Sequence, residues 1–510
     1  MDNRTRLLLA SVVSIATTSF GFIVRSFLIT EWGNLYNLTE TQKGALNGAG
    51  LFPFAVSIIL VSLVVDRVGY GRAMAAAWVG HVVAAVVTMT ASSFTQIYVG
   101  TLIFALANGI VEGVTNPAVA SLYPKDKVRY LNILHAGWPG GLVLGGLLFI
   151  AMGGTAWQFK VGIFLLPAVI YGILMLGCKF PVQERVSAGV SYDDMLKEFG
   201  WAGCLIVAYF VAGAIDAVLA GVFNSGLPTW LFYAVTLLPT LYFAITYKSA
   251  GRPVFVFMLL IMVVLATTEL GTDSWVTDLL TPVLKGNGMW VLVYTSAIMF
   301  VLRIFSSGPL VKALTPIGLL LVCAVMAAVG LYLIANAGSA AGMVFLAATL
   351  YGVGKTFFWP TTLGIVSEQF PRGGALTLNG MGGMGMIAVG VLGAPLLGAM
   401  VDQNLDTALK TSNPAVHAQV AESPRTFPLI RGLDTGLTSI GPYQPLDKVK
   451  LAALPEADKA ATEATLATTR QHSLAEFAIL PVIMAVCYLL LFVYFQSQGG
   501  YKAVHIGDGH

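Results

Sequence analysis

Gly109-Ile110-Val111-Glu112 running on to Asn116-Pro117, and Gly352-Val353-Gly354-Lys355 running on to Trp359-Pro360, are two versions of one motif, each set in the middle of an apolar stretch. The first is followed by Tyr123-Pro124 and Asn132, the second by Phe370-Pro371 and Asn379. The Gly, charge and Pro positions share one offset, and the later Pro and Asn share another that is longer by about one helical turn. A duplicated body in which one copy gained or lost a turn is the simplest cause. With a Glu in one half at the position of a Lys in the other, a central site between two related halves is expected.

Apolar residues make up 57% of the 510 and charged residues only 10%. No water-soluble domain of this size carries that balance, so the chain reads as all-α integral membrane protein. Stretches of about 20 apolar residues, the length that crosses a hydrocarbon core, recur roughly fourteen times between 7–30 and 474–495. The first is too long and continuous for a signal-peptide core and is expected to stay. Cys178, Cys204, Cys323 and Cys487 are scattered singly and read as packing residues.

Basic residues orient the chain. With the amino terminus inside, Arg4, Arg6, Arg67, Arg72, Lys125, Lys127, Arg129, Lys179, Arg185, Lys197, Lys248, Arg252, Lys312, Arg372 and Lys502 are cytoplasmic, against only Lys43, Lys160 and Lys285 in short outer loops. Both termini are therefore expected in the cytoplasm and the chain in a plasma membrane, the inner one if the source is bacterial. Residues 1–180 read as a six-helix bundle and 253–510 as a second. Between them, 181–252 reads as a cytoplasmic connector, with Tyr192 to Phe199 as a short surface helix, followed by an inserted pair of spans at 201–223 and 228–247. Residues 402–472 are polar and Pro-punctuated and read as an external loop, partly helical or irregular. Asn37-Leu38-Thr39 matches a glycosylation sequon on an outer loop.

Glu112 lies about ten residues, or roughly 15 Å, from the cytoplasmic end of its span, near the bilayer midplane. A carboxylate there must be protonated, paired or open to water, each of which suits proton coupling; a packing role is the plainer alternative. Lys355 sits at the matching depth. The phosphate-loop reading of Gly354-Lys355-Thr356 fails, because Thr349 stands where the first Gly belongs and no strand precedes it. Glu269 and Asp273 share a helix face, with Trp275 and Asp278 toward the outside, an acid-and-aromatic pairing that suits a sugar, although Trp is equally at home as an interfacial anchor. Trp359, deep beside Pro360, is expected at the cavity. Asn116, Asn132 and Asn379 would add neutral hydrogen bonds to substrate or between helices. Arg25 and Arg303 can each snorkel to an interface, or else face the cavity, attract an anion or pair with Glu112. Asp216, in the inserted pair, is expected to be structural or locally paired. Asp66, Arg67 and Arg72 occupy a short charged turn able to latch the halves on one side. Glycines at 137, 141, 145, 382, 383, 385, 390 and 393 permit close, sliding helix contacts.

Asp66-Arg67-Val68-Gly69-Tyr70-Gly71-Arg72 resembles the turn between the second and third helices of the major facilitator superfamily, with Ser62 where the family has Gly. Glu112-x-x-x-Asn116-Pro117 resembles the fourth helix of the fucose permease branch, and Glu269 with Trp275 is similar to its seventh. The resemblance implies two six-helix bundles related by a pseudo-two-fold axis, alternating access and a midplane site. It also implies Glu112 and Glu269 in proton coupling and sugar binding. The first helix departs, carrying only Arg25 where the branch has a carboxamide or carboxylate. Lys355, unusual for the branch, is a candidate ion-pair partner of Glu112. The resulting expectation is a proton-coupled transporter of a sugar or similar polar solute, or else an organic-anion or drug carrier. It would act as a monomer in the lipid bilayer on a small-molecule substrate and protons, with no cofactor, no metal and no nucleic acid. With no H-E-x-x-H, no G-x-S-x-G and His81 and His135 isolated, an enzyme is not expected, and neither terminus is long enough to carry a sensor's signalling domain.

Overall fold

The computed structural model describes residues 1–36, 38, 40–223, 225–433 and 438–506. Asn37 and Thr39 of the sequon lie outside the described residues. Thirteen helices among those described are long and apolar enough to cross a bilayer, and up to fourteen if Met289–Phe305 and Ser307–Leu314, bent by 72° at their junction, form one span. Helices are what these sequences must form in lipid, where every backbone group has to find its partner within the segment.

The first half holds the helices Asn3–Leu35, Phe52–Val68, Tyr70–Met89 and Phe94–Leu122, then Lys127–His135 continuing as Gly137–Ala151, and Leu165–Met175. In the second half Pro253–Ala266 passes through a π-helical turn, Thr267–Gly271, into Thr272–Leu280. Met289–Phe305, Pro316–Ala335, Ala341–Lys355 continuing as Phe358–Gln369, Gly374–Ala388, and Ile479–Ser497 complete it. One buried apolar cluster runs through both halves, from Ile15 and Phe54 to Met384 and Tyr488. Asn3 bonds to Lys179 near one end of the chain and Tyr501 to Glu368 near the other, on the face that also carries the Asp66 turn.

Tyr192–Phe199 does not lie apart on the surface. It forms the first two turns of the helix that runs on to Phe223, bent at Gly200, where φ is 70° and ψ 174°. A side chain at Gly200 would sit 2.0 Å from the Gly251 nitrogen, so the crossing of these two backbones requires glycine. Phe199 packs against Phe255 with ring centroids 5.4 Å apart, which draws the helix onto the core.

Residues 402–472 are more regular than the sequence indicates. The helix from Gly374 continues through Val389–Gly393 and Ala394–Ser412, and Glu456–Phe477 leads into Ile479–Ser497. These apolar-plus-polar rods span 42 and 40 residues, about 60 Å each, twice a hydrocarbon thickness of roughly 30 Å. Hydropathy falls where a rod leaves the lipid, but the Ala-rich sequence of Glu456–Phe477 keeps its helix propensity. Between the rods lie a short helix, Pro414–Val420, an antiparallel hairpin of Arg425–Pro428 with Ser439–Tyr443, and the turn Lys448–Ala452. His417 holds the short helix to the first rod through Asp406 at 2.6 Å. Arg431 docks this outer structure on the inserted pair: it pairs with Asp216, donates to the Leu227 carbonyl at 2.5 Å and lies 4.9 Å over the Phe232 ring. Asp216 is thus held both locally, where it accepts the Leu227 N–H at 2.6 Å, and by Arg431 of the outer segment.

Candidate central site

Proline has no N–H, so in a helix it leaves the carbonyl four residues earlier without its usual donor. Three prolines do this around the centre, and each released carbonyl is taken by a polar side chain. Pro117 frees Gly113, whose oxygen accepts from Asn379 Nδ2 of the other half at 2.8 Å. Pro139 frees His135 and Pro360 frees Thr356. Arg303 takes both, donating from Nη1 to the His135 carbonyl at 2.9 Å and from Nε to the Thr356 carbonyl at 2.6 Å.

The remaining Arg303 nitrogen, Nη2, donates to Glu269 Oε1 at 2.9 Å. At 2% exposed, Arg303 neither snorkels to the boundary nor pairs with Glu112. It joins the halves with all three nitrogens engaged. Glu269 sits in the π-helical turn, a feature common at functional sites. Its Oε2 accepts the Trp359 backbone N–H at 3.2 Å, a donor released where the helix breaks between Lys355 and Phe358.

Lys355, fully buried, pairs with Asp273 one turn beyond Glu269, and its ammonium lies 5.0 Å from the Tyr351 ring centroid. The expected Lys355–Glu112 pair is therefore not formed. A buried ammonium needs a close counter-charge, and Asp273 in its own half supplies one. The second half holds two neutralised ion pairs, while Glu112 stands apart.

Around Glu112 the polar groups are only half used. Glu112 is 3% exposed and its Oε2 has no hydrogen-bond partner among the described residues. Asn116 Oδ1 meets His135 Nε2 at 2.9 Å, and Asn116 Nδ2, on the Glu112 side, makes no close hydrogen bond among the described residues. Asn132 Nδ2 donates to the Val128 carbonyl at 2.9 Å and to Thr361 Oγ1 of the other half at 3.1 Å, leaving Oδ1 free, and Asn379 Oδ1 is free as well. Buried polar atoms without partners are uncommon and ask for an explanation.

Cross-half hydrogen bonds join Lys127 to the Ser367 carbonyl, Asn132 to Thr361, Arg303 to His135 and Asn379 to Gly113. All lie within about nine residues, roughly 14 Å, of the helix ends on the terminal face. Gly364 makes this seal tight: a side chain there would sit 2.7 Å from Val128 Cα. Asp66 belongs to the same closure, but by way of the connector. It pairs with Arg185, and Gln183, with its amide turned to satisfy both neighbours, donates to Asp66 at 3.2 Å and accepts from the Ala375 N–H of the second half. Arg67 stacks 5.3 Å over Tyr192. Arg72 is exposed and makes no ion pair among the described residues.

Arg25 stands away from this centre. Gly21, one turn inward of it, packs on Phe104, and Glu112 lies two turns further inward, so about 18 Å of helix axis separates Arg25 from Glu112. Its guanidinium occupies the space a Gly50 side chain would fill, 5.5 Å from the Phe22 ring, without a hydrogen bond or ion pair among the described residues. Trp275 is half-buried and its indole N–H donates to the Ala394 carbonyl at 3.0 Å, while Trp359 is buried beside the Glu269 carboxylate. Arg303, His135, Gln183 and Arg185 are the residues that sequence reasoning missed or left undecided. Pro139 and Pro360 inside apolar spans were the available signal for the first two; the connector pair carries none.

No family model and no curated protein matches the chain. Among solved structures it is similar to the human organic anion transporter MFSD10 (TETRAN), with TM-score 0.60 and 11% identity over 96% of this chain and 100% of the other. It is also similar to the proton:xylose symporter XylE bound to 6-bromo-6-deoxy-D-glucose, with TM-score 0.60 and 12% identity over 96% of each chain. The E. coli fucose:proton symporter FucP matches with TM-score 0.54 and 13% identity over 95% of this chain and 99% of the other. Two helical halves meeting at a buried polar centre, aligned along nearly their whole length with these proteins, give this chain the fold of the major facilitator superfamily of membrane transporters.

Proposed function

We propose that the chain is a proton-coupled secondary transporter of a small polyhydroxyl solute, a sugar or a close analogue, working by alternating access from a membrane in which both termini face the cytoplasm. The observation that carries this reading is the hydrogen-bonding capacity left unused among the described residues at Glu112 Oε2, Asn116 Nδ2, Asn132 Oδ1 and Asn379 Oδ1. A neutral solute rich in hydroxyls offers donors to the oxygens and an acceptor to the amide, and brings no charge into a centre whose other charges are already paired. Two of the similar structures are sugar:proton symporters by name, which fits this reading. Glu112 is the coupling residue, with Glu269 and its Arg303 partner across the site; Asp273, Lys355 and Trp359 support the site wall, and Asp66, Arg67 and the connector latch the terminal face.

Glu112→Gln keeps shape and hydrogen bonding but cannot ionise. In proteoliposomes tested against a panel of sugars that includes fucose and xylose, it is expected to abolish accumulation driven by a pH gradient while sparing counterflow exchange. Unchanged gradient-driven accumulation would remove Glu112 from the mechanism.

A second reading, an organic-anion carrier, is favoured by the buried guanidinium of Arg25, which has no ion-pair partner among the described residues and whose Nε makes no hydrogen bond among them, since a buried cation attracts a carboxylate. Under it, simple carboxylates stabilise the purified protein in a thermal-shift screen and Arg25→Ala removes the effect. Stabilisation by sugars alone decides for the first reading.

A further inference from the structure

We propose that His135 is the joint through which Arg303 reads whether Glu112 carries a proton, an inference that rests on the coupling role given to Glu112 above. His135 is buried and ends the helix Lys127–His135, before the chain turns at Ala136 into Gly137–Ala151. Its ring meets Asn116 Oδ1 at 2.9 Å and its carbonyl, released by Pro139, accepts from Arg303 Nη1 at 2.9 Å. One residue therefore touches the neighbour of Glu112 with its side chain and the ion pair of the other half with its backbone.

Asn116 lies one turn from Glu112 on the same helix face, so its amide stands between the carboxyl and the imidazole. Oδ1 can only accept, so in the described arrangement His135 carries its proton on Nε2 and donates, leaving Asn116 Nδ2 facing the Glu112 side. That orientation suits an ionised Glu112, which accepts the amide N–H. A protonated Glu112 accepts more weakly through its remaining carbonyl oxygen and adds an O–H that the amide oxygen can take. Turning the amide to supply that oxygen presents an N–H to the Nε2–H of His135, donor against donor, and displaces the imidazole. No proton leaves His135 in this exchange. Displacement at the end of a helix moves the carbonyl that Arg303 holds, and with it one of the bonds that close the terminal face.

The charged groups facing His135 are Glu112, beyond Asn116, and Arg303, with Glu269 behind it. Other helices packed on Lys127–His135 have their ionisable side chains engaged elsewhere or near their ends: Arg4 stacks on Tyr123, Arg6 binds the Ile173 and Leu176 carbonyls, Arg25 lies against Gly50, Glu31 approaches Lys160, and Glu368 bonds to Tyr501. Lys312 is in the last turn of its own helix.

The test needs no transported substrate. Val128, which faces Gly364 in the seal, is replaced by Cys in a full-length chain whose four native cysteines are replaced, and the rate of its reaction with N-ethylmaleimide is measured across pH and referred to the unfolded chain at the same pH. The parent rate is expected to change about tenfold over the Glu112 titration. Glu112→Gln, His135→Phe and Asn116→Leu should each flatten that profile to less than about twofold, and His135→Gln, which retains a donor and an acceptor, should largely restore it. A folded His135→Phe protein that follows the parent profile overturns the role of His135 and leaves Glu112 untouched. A flat parent profile, or a Glu112→Gln profile equal to the parent's, overturns the coupling reading and this inference together. Should His135→Phe fail to fold, Asn116→Leu breaks the same bond from the other side and decides alone.

Discussion

Arg303→Ala is expected to abolish transport and to destabilise the protein by about 3–5 kcal/mol, the usual consequence of stripping one partner from a buried ion pair. The guanidinium satisfies Glu269 Oε1, the Thr356 carbonyl and the His135 carbonyl together. Its removal strands a buried carboxylate and two carbonyls that their own helices cannot satisfy, each buried acceptor costing about 1–3 kcal/mol by itself. These losses share one neighbourhood and will not add. Arg303→Lys should recover little, because a single ammonium cannot reproduce a planar fork addressing three acceptors. The measurement is thermal unfolding of the purified protein alongside uptake in proteoliposomes. A melting temperature equal to that of the parent for Arg303→Ala would show that the bridge does not hold the halves.

Lys355→Met should cost up to about 3–5 kcal/mol, because it leaves the largely buried Asp273 without its counter-charge. Asp273→Asn should do similar harm from the other side. Combining the two removes both charges, so the double variant is expected to be more stable than the worse single variant, with a coupling energy of about 0.5–3 kcal/mol or more. Additive losses would mean that the two side chains do not act as a pair. Transport by the double variant adds a separate answer. If Lys355 only neutralises Asp273, uptake returns with stability; if it also holds substrate, stability returns alone.

The candidate site was legible in the sequence where a residue type contradicted its surroundings. Glu112, Lys355, Glu269 and Asp273 are ionisable groups in apolar spans, and all four are buried or nearly so near the junction of the halves. What the spans could not reveal is partner choice. The repeated motif puts Lys355 and Glu112 at equal depth, yet depth along a helix does not specify the direction a side chain faces, and Asp273 is the group within reach. For Arg303 the sequence permits two roles, because a long side chain near a helix end can satisfy either. Its actual partners are backbone carbonyls, which no sequence pattern marks except through the prolines that release them. The latch shows the same limit: Asp66 was visible in a motif, whereas Arg185 and Gln183, its partners, lie in a connector without one.

Composition, span length and the repeated Gly-charge-Pro motif determined by themselves that this chain is a duplicated bundle of about fourteen membrane helices with polar groups at its middle, because lipid admits few other solutions for such a sequence. Tertiary structure alone decided which charges neutralise each other, which released carbonyls Arg303 and Asn379 capture, and that residues 402–472 extend the membrane helices outward to dock on the inserted pair. The reason is one of range. Hydropathy and helix propensity act on neighbours in sequence, whereas an ion pair or a captured carbonyl depends on the packing that brings distant helices within about 3 Å of one another.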